Sequence, residues 1–371
     1  MKKPQCLTYK MQNKRTEKYK DMKTELIKID FAKPLAGQLT LPANILAEGG
    51  LVAFPTETVY GLGGNALDAN AAGKIYAAKG RPSDNPLIVH IARPGDAEKY
   101  AYTNPLYEAL AKAFMPGPLT VVLPKKENIP YSVTGGLETV GIRCPGDPVA
   151  RELIRLAGVP VAAPSANVSG RPSPTAANHV ADDLNGRIDC IIDGGEAEVG
   201  LESTIVKIDG NRLILLRPGA ITPEMLRTVC ENVVLDNGIL GKLPEGVSPQ
   251  APGMKYRHYA PRARVYLIRT EKEEELDKKA IAFFRSRLAE NPKAGILCYD
   301  EHLPFLNGEN VYSYGKKDDD LAHSHLLFDC LRRFDETEAP AIYAVIGKTE
   351  GIGLALYNRM LKASAYTVIY I

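Results

Sequence analysis

The chain has 371 residues, 45% of them hydrophobic and 24% charged, with a formal net charge of +2. That length favours two folding units over one, the composition is ordinary for a globular protein, and no apolar run approaches the ~20 residues a spanning helix needs. A charge so near zero excludes a protein that coats polyanions over its whole surface but leaves room for a local basic cleft.

In chain order, residues 1–23 are basic, polar and without apolar periodicity, so they are expected to form a disordered tail. Met22 stands just before the first strand-like run, so a start codon chosen upstream in error would explain the tail; an RNA-contacting arm is the functional alternative. From 24 to 238, Val/Ile-rich runs alternate with Ala-rich stretches, the pattern of an α/β domain. Strands are expected at 51–54, 87–91, 119–123, 140–143, 161–163, 190–192 and 203–208. Helices are expected at 69–79, 105–114, 149–156, 176–184 and 223–230, the last capped by Thr222. Residues 239–263 hold Gly241, Pro244, Gly246, Pro249, Pro252, Gly253 and Pro261, which mark a long connector. From 264 to 371, five strand-like runs separated by helices at 273–290, 321–332 and 353–363 predict a smaller Rossmann-like α/β domain.

Six scattered cysteines without a Cys-x-x-Cys pair suit reduced thiols in a cytoplasmic protein. His323 and His325 are the closest histidine pair and have no third ligand in view, so no metal site is expected. Gly347-Lys348-Thr349 lacks the glycine that a phosphate loop places five positions earlier, where Ile342 stands, and Gly351-x-Gly353 lacks a third glycine; both read as turns.

The richest stretch is Leu51 to Gly64, a buried strand running into Pro55-Thr56-Glu57-Thr58-Val59-Tyr60-Gly61 and a glycine-rich turn. Loops at strand ends gather ligands in α/β sheets, although a strand–turn–helix connection facing water would look the same. Lys79-Gly80-Arg81 then offers two cations at a helix end. Arg143 sits on an apolar strand, where burial is costly unless an anion meets it. Residues 162–170 (AAPSANVSG) form a small-residue loop rich in hydrogen-bonding groups.

Taken in order, PTETVYGLG, KGRP, NPL, VHI, PGPLT, VGIRCP, APSANVSG and ESTIV resemble the YrdC-like family. The connector SPQAPGMKYRHYAP and the closing GLALYNRMLKAS resemble the two-domain form of that family, the threonylcarbamoyl-AMP synthases. The resemblance implies a twisted mixed sheet with flanking helices, followed by the smaller domain. It also implies an enzyme, a nucleotidyltransferase, that makes threonylcarbamoyl-AMP and pyrophosphate from ATP, L-threonine and bicarbonate, ahead of a transferase machinery that modifies tRNA. By the same resemblance Thr58, His90, Arg143, Ala163 and Ser203 would surround threonine. Lys79 and Arg81 would carry catalysis, and Arg81, Asn85, Thr139, Ser165, Ser173 and Arg217 would hold ATP, with Mg²⁺ arriving on the nucleotide. Lys255, Arg257 and His258, beside Gly253, describe a basic strap able to fold over a triphosphate. Two other functions compete: a double-stranded-RNA-binding protein with a YrdC-like cleft, and another carbamoyl-transfer enzyme built on such a module.

Overall fold

The computed structural model describes residues 23–241, 249–254 and 258–371. All but Lys23 of the expected tail therefore lies outside the described residues.

Eleven strands of the described residues form the first sheet: β1 (Glu25–Lys28), β2 (Val52–Phe54), β3 (Gly61–Asn65), β4 (Ile88–His90), β5 (Leu119–Pro124), β6 (Thr139–Arg143), β7 (Val161–Ala163), β8 (Cys190–Asp193), β9 (Thr204–Asp209), β10 (Arg212–Arg217) and β11 (Val233–Leu235). Their order is β1-β8-β2-β3-β7-β4-β6-β5-β9-β10-β11, with parallel and antiparallel neighbours mixed. Side chains alternate between its faces as the strand pleat requires. Ala53, Val89, Val121, Ile142 and Ala162 enter the main core. Val52, Phe54, Val161 and Ala163 pack in a second cluster on the opposite face, together with residues of helices Leu35–Ala47 and Pro148–Ala157. Further along, Ile88, Val122 and Ile205 lie beneath Ala251 and Met254 of the connector. Both faces being covered explains why these strands read as continuous apolar runs.

Two helices are bounded by local chemistry that also aims the site. Asp68 accepts a hydrogen bond from the Asn70 N–H to start helix Ala69–Lys79, and Gly80, at φ 62°, ends it and turns the chain toward Arg81. Asp147 caps helix Pro148–Ala157 in the same way through the Ala150 N–H.

The expected glycine-rich turn at 61–64 is instead strand β3, antiparallel to β2. A Cβ at Gly63 would stand 2.7 Å from Val161 Cγ1 and 2.8 Å from Phe54 Cε1, so these glycines serve close packing across the sheet. Helix Leu35–Ala47 and strand β10 are further elements that pattern reading passed over. Pro34 precedes that helix and Pro42 lies inside it, and proline ordinarily interrupts a helical pattern.

The second sheet contains β12 (Arg264–Arg269), β13 (Gly295–Cys298), β14 (Val311–Ser313), β15 (Ala341–Val345) and β16 (Val368–Tyr370), all neighbours parallel. The α/β expectation stands, while the Rossmann-like detail is not confirmed. Counted within this domain the order is 3-2-4-1-5, with β15 inserted between β13 and β12, whereas the dinucleotide fold runs 3-2-1-4-5. Alternating strands and helices signal parallel crossovers; they carry no information on which gap a later strand enters.

The two domains are joined by buried charge. Arg332 donates to Asp183 Oδ2 at 3.0 Å and to the Pro172 carbonyl at 2.6 Å, and Arg171 bridges Asp183 and Asp335. Arg359, on helix Ile352–Ala363, meets Glu202 at 2.8 Å.

Candidate active site

Sheet register assembles the cleft. His90 lies opposite Arg143, Arg143 opposite Thr120, Thr120 opposite Ile205, and Ile205 opposite Arg217, a row that crosses five neighbouring strands. Opposed residues share a face, so His90, Arg143 and Arg217 project together with Ser203, two positions before Ile205. The loop between β2 and β3 closes one side and the 163–173 segment another. Pro252, Gly253, His258 and Tyr259 of the connector lie over the top, and the cleft so bounded holds about 600 Å³ including its open mouth.

Arg143 Nη2 donates to Glu57 Oε1 at 2.7 Å, while its Nε is buried without a partner among the described residues. Half of this guanidinium fork is thus answered from within the 55–61 motif and half is unanswered. His90 is buried; desolvation first and then Arg143 push its pKa down to about 3, so the ring is neutral near pH 7. Ser203 Oγ shares a hydrogen bond with Thr120 Oγ1 at 2.8 Å and accepts one from Arg217 Nη2 at 3.1 Å, while Arg217 Nε donates to the Ser203 carbonyl at 3.0 Å. Arg81 Nε and Nη2 donate to the carbonyls of Asn85 and Pro86. Burial lowers the pKa of Arg81 and of Arg217 to about 10, which leaves both charged at neutral pH. Neither lies within ion-pair distance of a carboxylate among the described residues. Two buried guanidiniums bound only to carbonyls and a hydroxyl are suited to an anionic guest.

Of the residues named from sequence, Arg81, His90, Arg143, Ala163, Ser165, Ser173, Ser203, Arg217 and His258 line this one cleft. Thr58 is fully buried behind it: its hydroxyl shares a hydrogen bond with Thr56 Oγ1 at 2.8 Å, and Thr56 is the hydroxyl that reaches the lining. Lys79 is also buried, and its ammonium donates to the carbonyls of Ser165 and Asn167, each at 2.5 Å. It therefore holds the 164–169 loop. Asn85 sits beneath Arg81, its Oδ1 buried without a partner among the described residues. Thr139 is half-buried at the far end of β6, four residues before Arg143 and so roughly 13 Å along the strand. Lys255 and Arg257 lie outside the described residues.

Sequence reading missed Thr120, Glu202, Tyr259 and Arg359. Glu202 lines the cleft, its Oε1 accepting from Ser173 Oγ and its Oε2 from Arg359 Nε. Burial alone would raise its pKa, but Arg359 and then Arg217 outweigh that and hold it below the usual carboxylate range. A signal did exist in both partners: Glu202 precedes an apolar strand, and Arg359 interrupts an apolar helix, each implying a buried counter-charge. Which charge met which could not be read from segments 157 residues apart. His323 and His325 do not converge: His323 meets the Lys316 carbonyl, His325 that of Glu198.

The chain is similar to known proteins over most of its length. A family model for Sua5, YciO and YrdC, described as telomere recombination, matches residues 44–219, and one described as the C-terminal domain of threonylcarbamoyl-AMP synthase matches 221–365. The threonylcarbamoyl-AMP synthase of Pyrococcus abyssi is 45% identical over 338 residues, spanning 90% of this chain and 95% of that protein. That of Bacillus subtilis is 43% identical over 94% of this chain and 100% of its own length. The crystal structure of P. abyssi Sua5 complexed with L-threonine superimposes with a TM-score of 0.86 at 41% identity, covering 94% of this chain and 99% of that one.

Proposed function

The chain belongs to the threonylcarbamoyl-AMP synthase family, and from that premise we propose that its cleft condenses L-threonine, bicarbonate and ATP into threonylcarbamoyl-AMP and pyrophosphate. The threonine amine combines with bicarbonate to give a carbamate, with loss of water. A carbamate oxygen then attacks the α-phosphorus of ATP, and the bond from that phosphorus to the bridging oxygen breaks as pyrophosphate leaves. Both partners are anions, so the barrier is lowered chiefly by positioning and by charge neutralisation.

The observation that carries this reading is the gathering of three buried cations, Arg81, Arg143 and Arg217, in one cleft beside a neutral His90. The unanswered Nε of Arg143 suits one oxygen of the threonine carboxylate, while Thr56, Ser203 and the wall at Ala163 would read the rest of the amino acid. Arg81 and Arg217, with Ser165, Ser173 and His258, would take the nucleotide, and the strap residues Lys255 and Arg257 would close on its phosphates. Lys79 would contribute by holding the Ser165 loop. Asn85 and Thr139 would act from outside the lining.

Among the described residues no three His, Cys, Asp or Glu side chains gather closely enough to hold a metal; Glu202 in the cleft wall and Glu57 behind Arg143 are each bound to an arginine. In this reading Mg²⁺ would arrive with the nucleotide as its counter-ion, held by phosphate and water. No described helix is long and apolar enough to cross a membrane. The five described cysteines are free, which supports work in a reducing cytoplasm, ahead of the machinery that transfers the group to tRNA. Pyrophosphate release measured with each amino acid in turn tests the reading. Release that depends on threonine is expected; RNA binding without any such release would favour the RNA-binding alternative instead.

A further inference from the structure

One side chain of the second domain enters the polar network directly behind the cleft wall. Arg359 is fully buried and comes from helix Ile352–Ala363, yet its guanidinium lies in the first domain's polar network. Nε donates to Glu202 Oε2 at 2.8 Å, Nη2 to the Glu202 carbonyl at 3.2 Å, and Nη1 to the Pro218 carbonyl at 2.9 Å and Asn358 Oδ1 at 3.0 Å. Its charged face stands 5.6 Å from the ring centre of Tyr259 in the connector. Glu202 in turn accepts from Ser173 Oγ, and both of these residues line the cleft while Arg359 does not.

The loop that presents Ser173 is gripped from the same domain a second time. Arg332 holds the Pro172 carbonyl and Asp183, and Asp335 holds Arg171. Residues 171–173 and 202 of the first domain thus take their positions from Arg332, Asp335 and Arg359 of the second.

Charge gives Arg359 a consequence beyond packing. Glu202 is a carboxylate in the wall of a cleft that is otherwise cationic. Left unpaired it would repel a triphosphate and release the Ser173 hydroxyl from its fixed direction. We propose that Arg359 is a positioning residue of the nucleotide site: it neutralises Glu202 and aims Ser173, so that the second domain sets the affinity for ATP. This rests on the functional reading above.

The test uses the full chain in four forms, wild type, Arg359→Met, Arg359→Lys and the double variant Glu202→Gln with Arg359→Met, together with Glu202→Gln as the reference. ATP affinity is read by calorimetry, KM for each substrate by pyrophosphate release, and folding by the urea midpoint. Arg359→Met should weaken ATP binding about tenfold or more, the scale of one charge-assisted interaction, while the threonine KM moves less than about threefold. The double variant should return to within about threefold of Glu202→Gln, because no charge is left to neutralise. Arg359→Lys should recover part of the loss, having the charge but not the fork.

If Arg359→Met does not fold, the lysine and double variants decide alone. ATP affinity unchanged in Arg359→Met, or a folded double variant about tenfold or more weaker than Glu202→Gln, would overturn the proposal and leave Arg359 a structural tie. A wild type that binds ATP but releases no pyrophosphate with threonine would instead sink the reaction, and the calorimetric series would still decide on Arg359.

Discussion

Arg143 carries the largest share of the chemistry assigned to a single side chain. Its Nη2 is held by Glu57 and its Nε waits, so replacement by lysine should keep the charge and lose the fork. Steady-state kinetics should show the threonine KM of Arg143→Lys rising roughly 10- to 100-fold, the worth of a hydrogen bond to a charged group. An unchanged threonine KM with a raised ATP KM would reassign the residue. His90 makes a prediction about stability. Its folded pKa, near 3, lies below its unfolded value near 6.5, so as pH falls from 6.5 the unfolded chain binds a proton that the native protein refuses. Stability must therefore decline on acidification across that window, by up to about 1.4 kcal/mol per pH unit for this one group. His258, likewise lowered by burial, adds in the same direction. Between pH 6.5 and about 5, urea unfolding of His90→Gln should show a shallower decline than wild type, and an identical slope would mean that the histidine is protonated in the folded state. Much of this was legible from sequence: an arginine on an apolar strand needs an anion, and Arg143 found one. The choice between Thr56 and Thr58 was not legible. Two hydroxyls two residues apart in a loop look alike until the turn closes, and there Thr56 Oγ1 takes the N–H groups of Thr58 and Val59 and keeps the lining position.

Elements with strong local signals emerge at nearly the expected bounds. Helices Ala69–Lys79 and Pro105–Phe114 coincide with their expected ranges because a cap at each start and a glycine or an extended residue at each end punctuate them. Strand β3 was missed because its signal is absence of side chains. Glycine normally marks a turn, whereas here Gly61, Gly63 and Gly64 let Phe54, Val161 and Ile75 approach. Gly63→Ala should accordingly lower the free energy of unfolding by about 1–3 kcal/mol, as overpacking does, read from the urea midpoint at unchanged slope. A neutral result would show that β3 tolerates a side chain on that face. Strand order in the second sheet was illegible for a different reason, since pairing between β15 and its neighbours is a long-range choice that no local pattern encodes.

At the scale of the whole molecule, the cleft is lined by the first domain and the connector and is braced by the second domain from behind. Its floor is the strand row of the first sheet, its roof includes Pro252, Gly253, His258 and Tyr259, and its far wall is held by Arg332, Asp335 and Arg359. Asp183, Arg332, Glu202 and Arg359 are buried, and buried pairs are screened by salt much less than exposed ones, even at 1 M where the Debye length is about 3 Å. X-ray scattering should therefore give the same radius of gyration at 0.1 and 1 M NaCl, and an increase would mean that the domains part when exposed charges are screened. The central claim concerns the reaction itself. Purified protein incubated with ATP, labelled bicarbonate and each amino acid in turn should place label in an adenylate with threonine and release one pyrophosphate for each adenylate formed. Label incorporated equally whichever amino acid is supplied, or pyrophosphate released without label in an adenylate, would contradict the account.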